Sequence, residues 1–189
     1  SSTPSLSSLN IKNGNNNNLT DFYAYSNPSL YCIQVDNPAF MNTNFGGLSN
    51  KDGQSTYSSN CGCTVNIPDV NFKNALLAIA SLNTNSNGQI ECYEATAFTG
   101  GIDVNTQNIT DLTGIEAFTG ITSLRCHQNQ ISAGLNVSNA PNLVELIAFN
   151  NLLPSINVTA NPALQILNLQ NNQISSPIDL TNNPALLSL

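Results

Sequence analysis

Positive charge is what this sequence most lacks. Lys12, Lys51, Lys73 and Arg125 face eleven Asp and Glu, for a formal net charge of -7 and a pI near 4.1. Neutralising nucleic-acid phosphates takes clustered Lys and Arg, and these four lie far apart, which argues against a nucleic-acid partner. His127 is the single histidine, so neither a multi-histidine metal site nor catalysis by two imidazoles is available. Tryptophan is absent, which weakens any reading as an aromatic sugar platform. No apolar run approaches the roughly 20 residues needed to span a bilayer. No secretory signal pattern stands at the start either. The chain opens and stops within a repeated pattern, so a processed chain or part of a longer one is expected.

Asparagine fills the space that charge leaves. There are 33 among 189 residues, while charged residues are only 8% and hydrophobic ones 40%. Low charge with adequate apolar content is not the composition of disorder, so a core is expected. Uncharged amides and hydroxyls suit turns and hydrogen bonds to backbone.

A repeat organises the second half. Ser123-Leu124-Arg125-Cys126-His127-Gln128-Asn129-Gln130-Ile131 returns as 145–153 and again as 166–174, with Leu124, Leu146 and Leu167 at steps of 22 and 21. Ile102 precedes Leu124 by the longer of these steps, and Leu189 follows Leu167 by the same interval. A second phrase travels with it: Ala140-Pro141-Asn142-Leu143, Asn161-Pro162-Ala163-Leu164 and Asn183-Pro184-Ala185-Leu186, with Thr3-Pro4-Ser5-Leu6 and Asn27-Pro28-Ser29-Leu30 as early counterparts. In L-x-L the alternate side chains share one face of a strand. This puts Leu124 with Cys126, Leu146 with Ala148 and Leu167 with Leu169 inside. One coil cannot bury its apolar side alone, so neighbours must stack. Asn129, Asn151 and Asn172 are then expected inside too, satisfying backbone groups where each coil turns.

The pattern L-x-x-L-x-L-x-x-N-x-L resembles the leucine-rich repeat over at least 101–189. That resemblance implies a solenoid with a parallel β-sheet on its concave face and an irregular or 3-10 convex side. The phrases Asn182-Asn183-Pro184-Ala185-Leu186 and Gln170-Asn171-Asn172-Gln173-Ile174 are similar to those of secreted leucine-rich-repeat proteins of Bacteroidota-type bacteria. Such proteins are typically large and exported, often by the type IX route, so the resemblance implies secretion or cell-surface residence. This segment shows no sorting domain of that route.

Four regions follow: 1–36 as the end of a first repeat block, 37–63 as a Cys-bounded capping loop, 64–100 as a helix plus an EF-hand-like loop, and 101–189 as a second block truncated mid-repeat. In the first block Leu9 and Ile11 match Ile33 and Val35 at a spacing of 24. An array needs its open end covered, and Cys-bounded segments like 32–61 occur in the family just named. Five cysteines is an odd count. Cys32 with Cys61 and Cys63 with Cys92 are the expected disulfides, leaving Cys126 as a buried thiol. The alternative, all five reduced in a core, suits an exported chain less well.

Between the blocks, Asp69 is placed to cap a helix after Pro68, with Phe72, Ala75, Leu76 and Ile79 at helical spacing. The following segment, Asn83 to Glu94, has the twelve-residue layout of an EF-hand calcium loop. Asn83, Asn85, Asn87 and Glu94 hold positions one, three, five and twelve, Gly88 makes the turn at six and Gln89 offers its carbonyl at seven. Asn replaces the usual Asp throughout, and only Glu94 and Glu91 carry charge, so any calcium binding is expected to be weak. The alternative is an Asn-Gly turn held by its own hydrogen bonds.

Outward residues of the repeat strands form columns on the expected concave face: Asp103, Arg125, Ile147, Asn168; then Asn105, His127, Phe149, Gln170; then Ser123, Glu145, Ile166. Apolar Ile147 and Phe149 beside Arg125 and His127 have the composition of contact surfaces. The alternative is that Phe149 only shields neighbouring strands. Nothing near His127 suggests an activated nucleophile. The expected function is thus non-enzymatic: adhesion, or recognition of protein or glycan, at a cell surface, with further repeats of the same parent chain as possible neighbours. The other readings are a structural spacer or filament-forming region, and an accessory region of a secreted hydrolase.

Overall fold

The computed structural model describes Leu6 and residues 8–189. The early phrase at Thr3, Pro4 and Ser5 lies outside the described residues. Among the described residues nine short strands and three short α-helices follow one another: β1 (Leu9–Asn10), β2 (Cys32–Gln34), α1 (Pro38–Phe45), β3 (Thr56–Ser58), α2 (Val70–Leu77), α3 (Cys92–Ala97), β4 (Gly101–Asp103), β5 (Ser123–Arg125), β6 (Leu135–Asn136), β7 (Glu145–Ile147), β8 (Ile156–Asn157) and β9 (Ile166–Asn168).

All ladder pairings between these strands are parallel, in three sheets ordered β1-β2-β3, β4-β5-β7-β9 and β6-β8. Register follows the repeat. Ile102 lies opposite Leu124, Leu124 opposite Leu146, and Leu146 opposite Leu167. These aliphatic side chains are buried, as are Val104, Cys126 and Ala148 two positions on. The fold is therefore leucine-rich-repeat-like. The strands are very short and fall into three separate sheets among the described residues, so the expected solenoid is present there as short stacks rather than one continuous sheet.

Amides pin the coils. Asn129 Oδ1 accepts from the N–H groups of Gln107 and Ile109, both at 3.0 Å, while its Nδ2 donates to the carbonyls of Val104 (2.9 Å) and Cys126 (3.0 Å). Asn151 accepts from Ile131 N and donates to Cys126 O and Ala148 O; Asn172 accepts from Leu153 N and donates to Ala148 O and Leu169 O. The residue before each, Gln128, Asn150 and Asn171, has φ between 53° and 55°. That left-handed conformation turns the chain off the strand and is least costly for Asn among non-glycine residues. The N-P-A-L phrase supplies a second set: Asn161 Nδ2 donates to Val137 O and Ala140 O, and Asn183 Nδ2 to Val158 O and Asn161 O.

The segment read as a capping loop, 37–63, is more ordered than that reading. Asn37 caps α1 by accepting from Phe40 N, with Pro38 at the first helical position. β3 then adds a third rung, placing Tyr57 opposite Ile33 just as Ile33 lies opposite Leu9. Cys32–Cys61 and Cys63–Cys92 are both disulfide-bonded and Cys126 is a buried free thiol. The apolar interior is divided in two. One cluster gathers Leu30, Ile33, Val35, Met41, Phe45 and Tyr57; the other runs from Phe72 and Leu76 of α2 through the whole second block to Leu167. Among the described residues, no helix is long and apolar enough to cross a membrane.

Candidate functional site

The expected columns assemble on the outer face of the β4-β5-β7-β9 sheet. Register sets Asp103, Arg125, Ile147 and Asn168 in one line and Ser123, Glu145 and Ile166 in the next. The third line continues past the strand ends, where Thr106 N donates to His127 O, Gln128 N to Phe149 O and Asn150 N to Gln170 O. His127 and Phe149 stack face to face, 4.5 Å between centroids and 22° between planes. Beside them Arg125 Nε lies 2.7 Å from Glu145 Oε1, with a second contact from Nη2 to Oε2 at 3.2 Å. Ser123 Oγ donates to the same Glu145 oxygen at 2.8 Å.

This pairing sets the charge of the face. The hydrogen bonds from Arg125 and Ser123 hold the Glu145 carboxyl below its ordinary value, and the Glu145 carboxylate raises the Arg125 guanidinium. Both ions thus persist over the usual pH range, with side chains 50% and 19% exposed. An exposed pair of this kind contributes little to stability, but it leaves a fixed dipole next to two stacked rings. Ile147, Phe149, His127 and Asn168 are half-buried, whereas Arg125 and Gln170 are exposed. The face can offer flat apolar contact at its middle and hydrogen-bonding groups around it.

The Asn83–Glu94 segment follows α2 and runs into the first turn of α3. Asp69 Oδ1 caps α2 by accepting from Phe72 N, as its position predicts. Phe72 and Leu76 are fully buried, and Ala75 and Ile79 pack against the same core. In the loop Gly88 takes φ of 78°, which an L side chain rarely adopts. Asn85 Oδ1 accepts from Asn87 N and Asn87 Oδ1 from Gln89 N, while the Nδ2 groups of both donate to the Glu91 carboxylate. Glu94 accepts from Thr84 N, Thr84 Oγ1 and Glu91 N. Burial, reinforced by the neighbouring Glu91, pushes the Glu94 pKa up to about 7. Amide donors thus stand around the carboxylates where a cation stands in a charged loop. Gln89 also accepts from Lys73 Nζ through its side chain. Within the loop, Asn83 Oδ1 is buried without a partner among the described residues. The same residues contain no group of three or more His, Cys, Asp or Glu gathered as for a metal.

Sequence spacing located both regions but not the central place of Glu91, which gathers two amides. Nor did it reveal Lys51, an isolated basic residue in a Gly/Asn/Ser-rich stretch that the fold buries beside Tyr57. No local pattern of its neighbours marks it.

No protein-family model matches the chain. No curated protein matches it. Among solved structures it is similar to the functional domain of InlJ from Listeria monocytogenes, described as including a cysteine ladder, with 32% identity, a TM-score of 0.58, and coverage of 67% of this chain and 28% of that one. It is also similar to an internalin, inlF, from Listeria monocytogenes, with 18% identity, a TM-score of 0.50, and coverage of 67% of this chain and 44% of that one. The second likeness concerns the fold alone. A single thiol, Cys126, occupies the repeat interior here. The chain spans about a quarter of the first structure's length and less than half of the second's, and the two likenesses support a leucine-rich-repeat type of protein.

Proposed function

We propose that this chain is a non-enzymatic binding module, secreted or held at a cell surface, that engages a protein partner through the outer face of its β4-β5-β7-β9 sheet. The observation that carries this reading is the His127–Phe149 stack beside Ile147 and the Arg125–Glu145 pair. Aromatic residues and Arg concentrate the energy of protein interfaces. Two disulfides among the described residues favour an oxidising, extracellular setting. A glycan partner is the alternative, and exposed Gln170 and half-buried Asn168 would be its contacts. The test is attachment of the fluorescently labelled chain to intact cells, with protease-treated and deglycosylated cells in parallel. Replacing Phe149 and Arg125 together by Ala should abolish attachment while the melting temperature shifts by only a few degrees. Attachment that survives the double change removes this face as the site and leaves the spacer reading. Loss on protease treatment, with survival after deglycosylation, distinguishes protein from glycan.

The loop carries a second, separate proposal: weak calcium binding through Asn83, Asn85, Asn87, Gln89 and Glu94, with Glu91 alongside. The observation favouring it is the orphaned Asn83 Oδ1, an oxygen donor of the type calcium takes, in a loop with two carboxylates. The amides of Asn85 and Asn87 would have to release Glu91. Millimolar calcium should therefore raise the melting temperature relative to chelator, and Glu94→Gln should remove the difference. Identical melting in calcium and in chelator rejects this proposal.

A further inference from the structure

Lys51 is only 9% exposed and takes part in no ion pair among the described residues, where Arg125 and Glu145 form the pair that does exist. Its Nζ donates to the Ser55 carbonyl at 2.6 Å and sits 5.7 Å from the centre of the Tyr57 ring. An ammonium has three donors and costs several kcal/mol to bury without a counter-charge. Burial accordingly lowers its pKa from the ordinary 10.5. Of the other two lysines, Lys12 is exposed and donates to Ser59 O, and Lys73 is half-buried and donates to Gln89 Oε1.

Lys51, Ser55 and Tyr57 share the wall of one cavity of about 240 Å³, between α1 and β3 of the first block and α3 of the insert. The opposite wall is Tyr93 and Thr96 of α3, and Asn42 of α1 closes the rim. No hydrogen bond is formed by the Asn42 amide among the described residues. No Asp or Glu lines the cavity.

We propose that this cavity is a binding site for a small hydroxylated monocarboxylate the size of one sugar-acid ring, with Lys51 as its cation. Charge balance selects the class. One ammonium with no carboxylate neighbour matches one carboxylate; a phosphate or sulfate dianion would leave an uncompensated negative charge in a chain of net charge -7. Polarity selects the rest. The wall is chiefly hydroxyl and amide. The Ser55, Thr56, Tyr57, Ser58 and Thr96 hydroxyls donate to backbone carbonyls, which leaves their oxygens as acceptors for sugar hydroxyls, and the volume lies below the ~300 Å³ at which drug-sized pockets begin. The site shares no residue with the His127–Phe149 face and does not depend on the reading of that face.

The test is titration of the intact, disulfide-bonded chain with glucuronate, and with glucose as the neutral ring of the same size, by calorimetry or ligand-observed NMR. Saturable glucuronate binding, at least tenfold tighter than glucose and weakened at least tenfold by Lys51→Met, is the expected result. If Lys51→Met does not fold, Asn42→Asp, on an exposed position of α1, puts a negative charge on the rim and should weaken glucuronate by a similar factor. Absence of saturable glucuronate binding by the folded chain overturns the proposal. So does equal binding of glucose, or binding unchanged in whichever variant folds.

Discussion

At the scale of single residues, the chain replaces charge by amide, and the amides divide into two kinds. Asn129, Asn151 and Asn172 each join an N–H of the preceding coil to carbonyls of two coils, whereas residues such as Asn142 face solvent. Asn151→Leu keeps the volume but strands Ile131 N–H and removes one of the two amide donors at each of the Cys126 and Ala148 carbonyls, which keep Asn129 and Asn172 respectively. The stranded N–H costs about 1–3 kcal/mol and each lost amide–carbonyl bond about 0.5–1.5 kcal/mol, so after relaxation a loss of about 2–4 kcal/mol is expected in urea unfolding. Asn142→Ala should change stability by less than about 0.5 kcal/mol. Asp69 is the most connected acid outside the loop. Its burial raises the pKa, but hydrogen bonds from Phe72 N, Thr110 N, Thr110 Oγ1 and Asp111 N outweigh this and bring it below the ordinary 3.8. A depressed carboxylate stabilises the fold above its unfolded value and loses that contribution as pH falls through the folded one. Asp69→Asn should therefore lower stability at neutral pH and flatten the fall in melting temperature below about pH 4. An unchanged acid limb would show that other carboxylates set it.

Among the secondary elements, the parts that repeat were readable and the parts that do not were not. The near-constant step from Leu124 to Leu146 to Leu167 predicts which strands pair and in which register, because an L-x-L strand slipped by one position would expose its leucines. β3 is hidden in the sequence because Thr56, Tyr57 and Ser58 lack the aliphatic signature of β2, although they follow Cys32, Ile33 and Gln34 at the same interval by which Ile33 follows Leu9. α1 was marked by Asn37 and Pro38, an N-cap and a first-turn proline, but Asn is so common here that the mark does not stand out. The outer face of the sheet was readable column by column. The cavity at Lys51 was not, since it is made by three elements far apart in sequence. Of the two disulfides, Cys63–Cys92 encloses α2 and the Asn83–Glu94 loop as far as Cys92, over a separation of 29 residues. Closing a loop of that length removes about 3–4 kcal/mol of unfolded-state entropy. Replacing both cysteines by serine should lower stability by that order, read from urea unfolding, with the loss concentrated in α2 and α3. A loss spread evenly over β4 to β9 would show that the insert and the second block unfold as one.

For the molecule as a whole, the division of the core matters more than the number of coils. The first cluster, around Ile33, Met41 and Phe45, is much the smaller, and the second extends from Phe72 to Leu167 through every rung of the β4-β5-β7-β9 sheet. Burial of apolar area is the main stabilising force, and a stack gains it rung by rung from its neighbours. The first block therefore depends on its contact with α3 and on Cys32–Cys61, while the second block sustains itself. Native-state hydrogen exchange should resolve this difference, because amides report the free energy of the smallest opening that frees them. The amides of Val35 and Thr56, bonded to Ser58 O and Tyr31 O, should exchange well before those of Cys126 and Ala148, bonded to Ile147 O and Asn168 O. Reducing agent should widen the gap, since it removes the cross-link that the small core relies on and leaves the interior thiol at Cys126, whose pKa burial pushes up to about 12, unreactive. Equal exchange at the four positions, with and without reductant, would mean that α3 couples the two cores into a single cooperative unit.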